Sequence, residues 1–217
     1  MKKIENIEYG IFDMDGTLLD SMWAWDTAAD RMLAEMNIVP KPEMREDIRP
    51  MTTAQVADYM KEHYGLDLTP DQLIDLFNRT MEDFYKNEAE LKEGVLEFLQ
   101  KMKEKNIGMC VATATDRYMV EIGLKRLGIY DCFDFIITCS EVGYSKSSPL
   151  VFDKCVEKSG SRKEKTWIFE DSEFAIETAK KAGYPVLAIY DESSKAFEDM
   201  KKRLADIYVY SFNEVTL

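Results

Sequence analysis

The chain has a single histidine in 217 residues, and its four cysteines include no CxxC pair. Three of Cys110, Cys132, Cys139 and Cys155 fall within or beside apolar runs, where a buried thiol is the plain reading. The histidine, His63, falls at the end of a helical stretch, where a surface or packing role accounts for it. No apolar run is long enough to span a bilayer, and the first eight residues scatter charge where a signal peptide needs an apolar core. There is no internal repeat and no low-complexity tract. Positive charge is also short: Lys+Arg 28 against Asp+Glu 41 leaves a formal charge of -13. Such a surface repels nucleic acid and anionic membrane, which excludes both as expected partners. It is equally awkward for an anionic substrate, so a phosphate site would have to bring its own cation, metal or backbone donors. A soluble, reduced, cytoplasmic protein is expected.

What is present is enough apolar material for a substantial core, 46% hydrophobic and 12% aromatic. A first strand is predicted over about 7–12. A long stretch with helical apolar spacing follows, with helices at 21–36, 53–64 and 70–87. Pro40, Pro42 and Pro50 punctuate the join between the first two, and Thr69-Pro70-Asp71 opens the third. From about 93 the pattern alternates: helix 93–105, strand 107–112, helix 116–127, strand 134–139, helix 149–159, strand 166–169, helix 172–182, strand 185–190, a Lys-rich helix near 194–204 and strand 207–210. Short β-branched runs between capped helices predict an α/β fold, a doubly wound parallel sheet covered on both faces. The helical stretch interrupts it as an inserted cap, giving core segments 1–18 and 89–217 and a cap over 19–88.

Residues 11–17, Ile-Phe-Asp-Met-Asp-Gly-Thr, place Asp13 and Asp15 just beyond the first strand. Carboxylates there are costly unless a metal or partner charge compensates them. Ligands of such sheets bind beyond the carboxyl ends of the strands. After strand 107–112 come Thr113-Ala114-Thr115, beyond strand 134–139 lies Tyr144-Ser-Lys146-Ser-Ser-Pro149, and after strand 166–169 come Glu170-Asp171-Ser172. Four carboxylates, a hydroxyl and a lysine thus converge on one rim, and oxygen-only ligands suit Mg²⁺ rather than zinc. Singly, each piece has a plain structural role as turn, strand end, solvated lysine or helix N-cap. The ordered set carries the functional reading.

With these motifs in that order, nearly the whole chain resembles the haloacid dehalogenase superfamily, in the branch of phosphoglycolate phosphatase and β-phosphoglucomutase. Asp13-Met-Asp-Gly-Thr17, Thr113, Lys146 and Glu170-Asp171 look like its four motifs, and Leu91–Leu99 like the segment leading back from its helical cap. The resemblance implies a Rossmann-like core and Mg²⁺-dependent hydrolysis of a small phosphorylated metabolite through an aspartyl phosphate. Asp13 would be the nucleophile and Asp15 the acid and base. Thr113 and Lys146 would grip the phosphoryl oxygens, with Gly16, Thr17 and Ala114 in the substrate-binding set. Asp13, the Asp15 carbonyl, Asp171 and Glu170 would serve the metal, and the cap would close over the leaving group. A monomer or weak homodimer is expected.

Two departures stand out. Lys146-Ser-Ser-Pro-Leu150 replaces the usual Lys-Pro-x-Pro-Asp, and Ala175 replaces a glycine. Without the bracing aspartate, Lys146 is expected to be held less firmly. The alternatives are a phosphomutase, which would carry a cap histidine where Trp25 stands, and a binding protein that has lost turnover. Trp23, Trp25, Arg49 and Met51 are candidates for substrate choice, Arg49 through a planar guanidinium.

Overall fold

The computed structural model describes residues 1–48, 51 and 53–217, without the side chains of Glu46, Thr53 and Ala54. The chain runs β1 (Lys2–Lys3), β2 (Tyr9–Phe12), α1 (Met22–Asp26), α2 (Ala28–Glu35), α3 (Met44–Ile48), α4 (Thr53–Tyr64), α5 (Pro70–Asn87) and α6 (Val95–Glu104). It continues through β3 (Gly108–Thr113), α7 (Arg117–Arg126), β4 (Phe135–Thr138), α8 (Cys139–Val142), α9 (Leu150–Ser159), β5 (Thr166–Glu170) and α10 (Glu173–Lys181). The last elements are β6 (Val186–Ile189), α11 (Glu198–Leu204), β7 (Ile207–Val209) and β8 (Val215–Thr216).

Six strands form one parallel sheet in the order β4-β3-β2-β5-β6-β7. β2 therefore sits in the middle, where the chain first builds outward through β3 and then returns to start again at β5. That reversal leaves a crevice at the carboxyl end of β2 that no crossover fills. All four residues of β2 are buried, as the middle of a doubly covered sheet requires. Alternate side chains serve opposite faces: Ile11 joins Cys110, Ile168, Phe152 and Ile176 on one. On the other, Phe12 stacks on Phe169 at 4.1 Å and meets Phe98 edge-on. At Gly10 an added Cβ would lie 2.7 Å from the Phe12 ring and 3.0 Å from Met102, so the aromatic layer needs glycine there. β1 and β8 pair separately, tying Lys2 to Val215.

The chain divides into two compact units, Met1–Met22 with Ala89–Leu217, and Trp23–Glu88. The second is helical. Its core joins Met32, Leu33, Met44, Ala57, Tyr59, Met60 and Leu73. α5 opens with a reciprocal capping box, Thr69 against Gln72, and Pro70 in its first turn. The helix predicted over 21–36 is broken: Thr27 leaves helical geometry, and its hydroxyl donates to the Trp23 carbonyl at 2.8 Å. This is the local competition by which threonine ends a turn. Cys139, placed by pattern at the end of a strand, instead opens α8 behind the capping box of Thr138 and Glu141. α3, in the proline-punctuated join, was not foreseen.

Candidate active site

The ladder of β2 extends one residue further, the Asp13 N–H donating to the Phe169 carbonyl at 3.0 Å. The chain then turns sharply, with Leu18 and Leu19 both donating to the Met14 carbonyl. Gly16 makes the turn possible at φ 77, a conformation open to glycine at little cost. A Cβ there would fall 2.4 Å from Asp171 Oδ2, so the missing side chain also lets the loop pass against Asp171. The next residue fastens the two together: Thr17 Oγ1 donates to Asp171 Oδ1 at 3.0 Å.

Glu170 and Asp171 stand at the end of β5, the strand beside Asp13. Glu170 Oε1 accepts from the Asp171 and Ser172 N–H groups and from Ser172 Oγ, at 3.2, 3.1 and 3.0 Å. Its Oε2 accepts from Lys146 Nζ at 2.8 Å, and the same ammonium lies 2.5 Å from Asp13 Oδ1. Asp13, Glu170 and Asp171 each bring an oxygen within 4.8 Å of the others. Because Glu170 is committed to its donors, Asp13 and Asp171 are the better placed to share an ion.

Burial and the mutual repulsion of the carboxylates dominate the electrostatics of the cluster. Burial, and then the Glu170 charge, push the Asp13 carboxyl well above the usual range against the pull of Lys146. Burial, Glu170 and Asp191 push Asp171 up to about 7. For Lys146, burial acts to lower the value, but Asp13 and Glu170 outweigh it and hold the ammonium above the ordinary lysine value. Behind the cluster Lys92 pairs with Asp191 at 2.7 Å, and Lys201 is fully buried. The oxygens that Asp13, Glu170 and Asp171 bring together are all carboxylate oxygens. The residues fit a hard cation.

Asp15 lies in a different setting. Ser21 Oγ donates to its Oδ1 and Thr115 Oγ1 to its Oδ2, both at 2.7 Å. The Thr115 N–H in turn donates to Thr113 Oγ1 at 3.1 Å, so the end of β3 is tied to the Asp15 carboxylate through adjacent hydroxyls.

The profile of the haloacid dehalogenase-like hydrolases matches residues 10–189. The chain belongs to that family. A phosphorylated-carbohydrate phosphatase of Thermotoga maritima is 29% identical over 180 residues, covering 82% of each chain. Hexitol phosphatase B of Escherichia coli K12 is 25% identical over 209 residues, covering 95% of this chain and 93% of its own. The phosphate complex of CbbY from Rhodobacter sphaeroides superposes with a TM-score of 0.77 over 96% of both chains at 21% identity, which establishes the fold.

Within this hydrolase fold, Asp13, Lys146, Glu170 and Asp171 come together, and Asp15 and Thr113 are linked through Thr115. With its altered loop, Lys146 is only 5% exposed and contacts both Asp13 and Glu170. Thr17 directs its hydroxyl to Asp171, and Ala114 is exposed beside the buried Thr113. In the helical unit Trp25 donates to the Tyr85 hydroxyl at 3.0 Å, and Trp23 lies edge-on to Phe84 while 47% exposed. Met51 lines an apolar cavity of about 350 Å³ with Met32, Met60 and Phe77. His63 stacks on Tyr59. Arg49 lies outside the described residues. Among the described residues no helix is long and apolar enough to cross a membrane.

Reading the sequence missed Ser21, Thr115 and Lys201. The first two are hydroxyls next to the motifs, and adjacency to Asp15 and Thr113 was their only signal. Lys201 had none, since Lys201-Lys202-Arg203 reads as a solvated run.

Proposed function

We propose that the chain is a Mg²⁺-dependent phosphomonoester hydrolase acting on a small phosphorylated metabolite. One observation carries the reading: two carboxylates two residues apart occupy opposed environments. Asp13 shares an oxygen cluster with Lys146, Glu170 and Asp171, whereas Asp15 is held by two hydroxyls. Asp13, set against that cluster, takes the role of nucleophile, and Asp15, held beside it by the hydroxyls, that of acid and base.

Asp13 attacks phosphorus in line as the bond to the leaving oxygen breaks, and the phosphoryl group passes to its carboxylate. Asp15 gives its proton to the leaving oxygen. It then takes a proton from the water that attacks the aspartyl phosphate, and phosphate departs with Asp13 restored. Lys146 and the Thr113 hydroxyl hold the phosphoryl oxygens, assisted by donors at Gly16, Thr17 and Ala114. Asp13, Asp171, Glu170 and the Asp15 carbonyl would hold a divalent cation, whose positive charge would let an anionic ester approach a carboxylate. The all-oxygen donor set suits a hard cation, and Mg²⁺ is the one proposed.

Two relatives are named for phosphorylated carbohydrates and hexitols. Sugar and polyol phosphates are therefore the proposed substrate class, with selection by the helical insert over 19–88, a cap carrying Trp23, Trp25 and Arg49. Trp25 at the position of the mutase histidine favours water as the acceptor over a sugar hydroxyl.

The test is phosphate release from p-nitrophenyl phosphate. Mg²⁺ should support turnover, EDTA should stop it, and Asp13→Asn should abolish it in a folded chain. No turnover by the Mg²⁺-loaded native chain, or equal turnover by Asp13→Asn, refutes the assignment.

A further inference from the structure

Lys201 is fully buried on α11, while its neighbours Lys202 and Arg203 are exposed. An ammonium is held out of water only where polar acceptors replace its hydration. Here the acceptors are the Asp171 carbonyl at 3.0 Å and Ser194 Oγ at 2.7 Å. Ser194 is itself buried, at a kink of the 3-10 segment Glu192–Phe197, with its hydroxyl 3.2 Å from the same Asp171 carbonyl. An ammonium and a hydroxyl therefore converge on one main-chain oxygen, just where the chain leaves β5 and the Asp171 carboxylate turns toward Asp13. Both of Lys201's bonds go to a carbonyl and a hydroxyl rather than to a carboxylate.

We propose that Lys201 and Ser194 are positioning residues that clamp the Asp171 main chain, hold its carboxylate in the cluster with Asp13 and Glu170, and so set the affinity for a divalent cation. This rests on the reading of that cluster as a cation site.

The sign of the effect separates three roles. If Lys201 acted only as a nearby positive charge, its removal would tighten cation binding. If it served folding alone, removal would lower the melting temperature and leave cation binding unchanged. As a clamp, its removal weakens binding, because Asp171 loses the contact that fixes it. Outer partners of metal ligands are typically worth about 10–100-fold in affinity.

The experiment is calorimetric titration of the full chain with MgCl₂, at one pH and at a temperature where native, Lys201→Met and Ser194→Ala chains are all folded. Melting curves and p-nitrophenyl phosphate kinetics accompany it. Lys201→Met should raise the Mg²⁺ Kd about 10–100-fold. Ser194→Ala, which keeps the ammonium, should shift it the same way by a smaller factor. At saturating Mg²⁺ kcat should recover toward the native value, with KM for the aryl phosphate unchanged. A native or tighter Kd in Lys201→Met overturns the proposal. Should Lys201→Met fail to fold, Ser194→Ala decides, and an unchanged Kd there overturns it. A native chain that binds no Mg²⁺ refutes the cation-site reading, and this inference with it. That result is distinct from a native chain and a variant that bind equally well.

Discussion

Replacing Lys146 by methionine tests the charge balance of the site directly. The ammonium lies 2.5 Å from Asp13 and 2.8 Å from Glu170, with 5% of its side chain exposed. Two opposite charges at 4 Å attract by about 4 kcal/mol at an effective dielectric near 20, so two closer pairs give a gross attraction above about 8 kcal/mol. Desolvating the ions offsets several kcal/mol of that. The net cost of leaving the carboxylates without their lysine is about 3–5 kcal/mol, the usual result of breaking a buried pair from one side. Methionine keeps most of the aliphatic length, so a cavity adds little. The measurement is urea unfolding in EDTA, in a Trp23→Phe, Trp25→Phe background. Trp167 in β5 is then the one remaining indole of the three, and fluorescence reports the sheet unit. Lys154→Met, which removes an exposed i,i+3 pair with Glu157, serves as control and should change stability by about 0.5 kcal/mol or less. If Lys146→Met costs below about 1 kcal/mol, as a surface pair would, the ammonium does not compensate the cluster and the electrostatic argument fails.

Gly16→Ala puts a side chain at φ 77 and a Cβ against Asp171. The backbone alone should cost about 1–2 kcal/mol, and displacement of Asp171 should weaken Mg²⁺ binding; a native melting curve with native Mg²⁺ affinity would contradict this. Ser21→Ala and Thr115→Ala each remove one hydroxyl that holds Asp15. Each should lower kcat about tenfold, the equivalent of one hydrogen bond of about 1.4 kcal/mol, and steady-state kinetics with an unchanged kcat would reject the positioning role. Bonds from Arg162 and Lys165 hold the Glu8 carboxyl down to about 2 from the ordinary 4.5. Its stabilising effect is therefore complete above the unfolded value and lost as pH falls through the folded one. Glu8 carboxyl NMR shifts should titrate below the usual range at low salt and move back toward it as salt screens the pair, whereas an ordinary midpoint at low salt would show that the contact does not persist.

Much of the fold was legible because it is encoded locally. The Thr69 and Gln72 capping box, Pro70 at a first turn, and αL glycines such as Gly160 after α9 mark helix ends by interactions only a few residues long. Apolar runs mark strands that are buried on both faces. The sheet-rim residues were legible as a set because a parallel sheet delivers every strand's carboxyl end to the same edge. The break at Thr27 was hidden because helical apolar spacing runs through it, while the threonine hydroxyl turns back to the Trp23 carbonyl. The pairing of Lys2 with Val215 was hidden because two-residue strands have no periodicity to read.

By itself the sequence singled out the candidate groups: Asp13 and Asp15 beyond a buried strand, with Lys146 and Glu170-Asp171 further along in a recognisable order. Only the tertiary structure decided how those groups are balanced and held. The grip of two carboxylates on Lys146, the hydroxyls on Asp15, and the burial of Lys201 beneath Asp171 join residues that are distant in the chain, Lys146 and Asp13 among them. Charge burial depends on what the folded chain packs around a group, and a run of basic residues looks the same in sequence whether it faces water or a carbonyl.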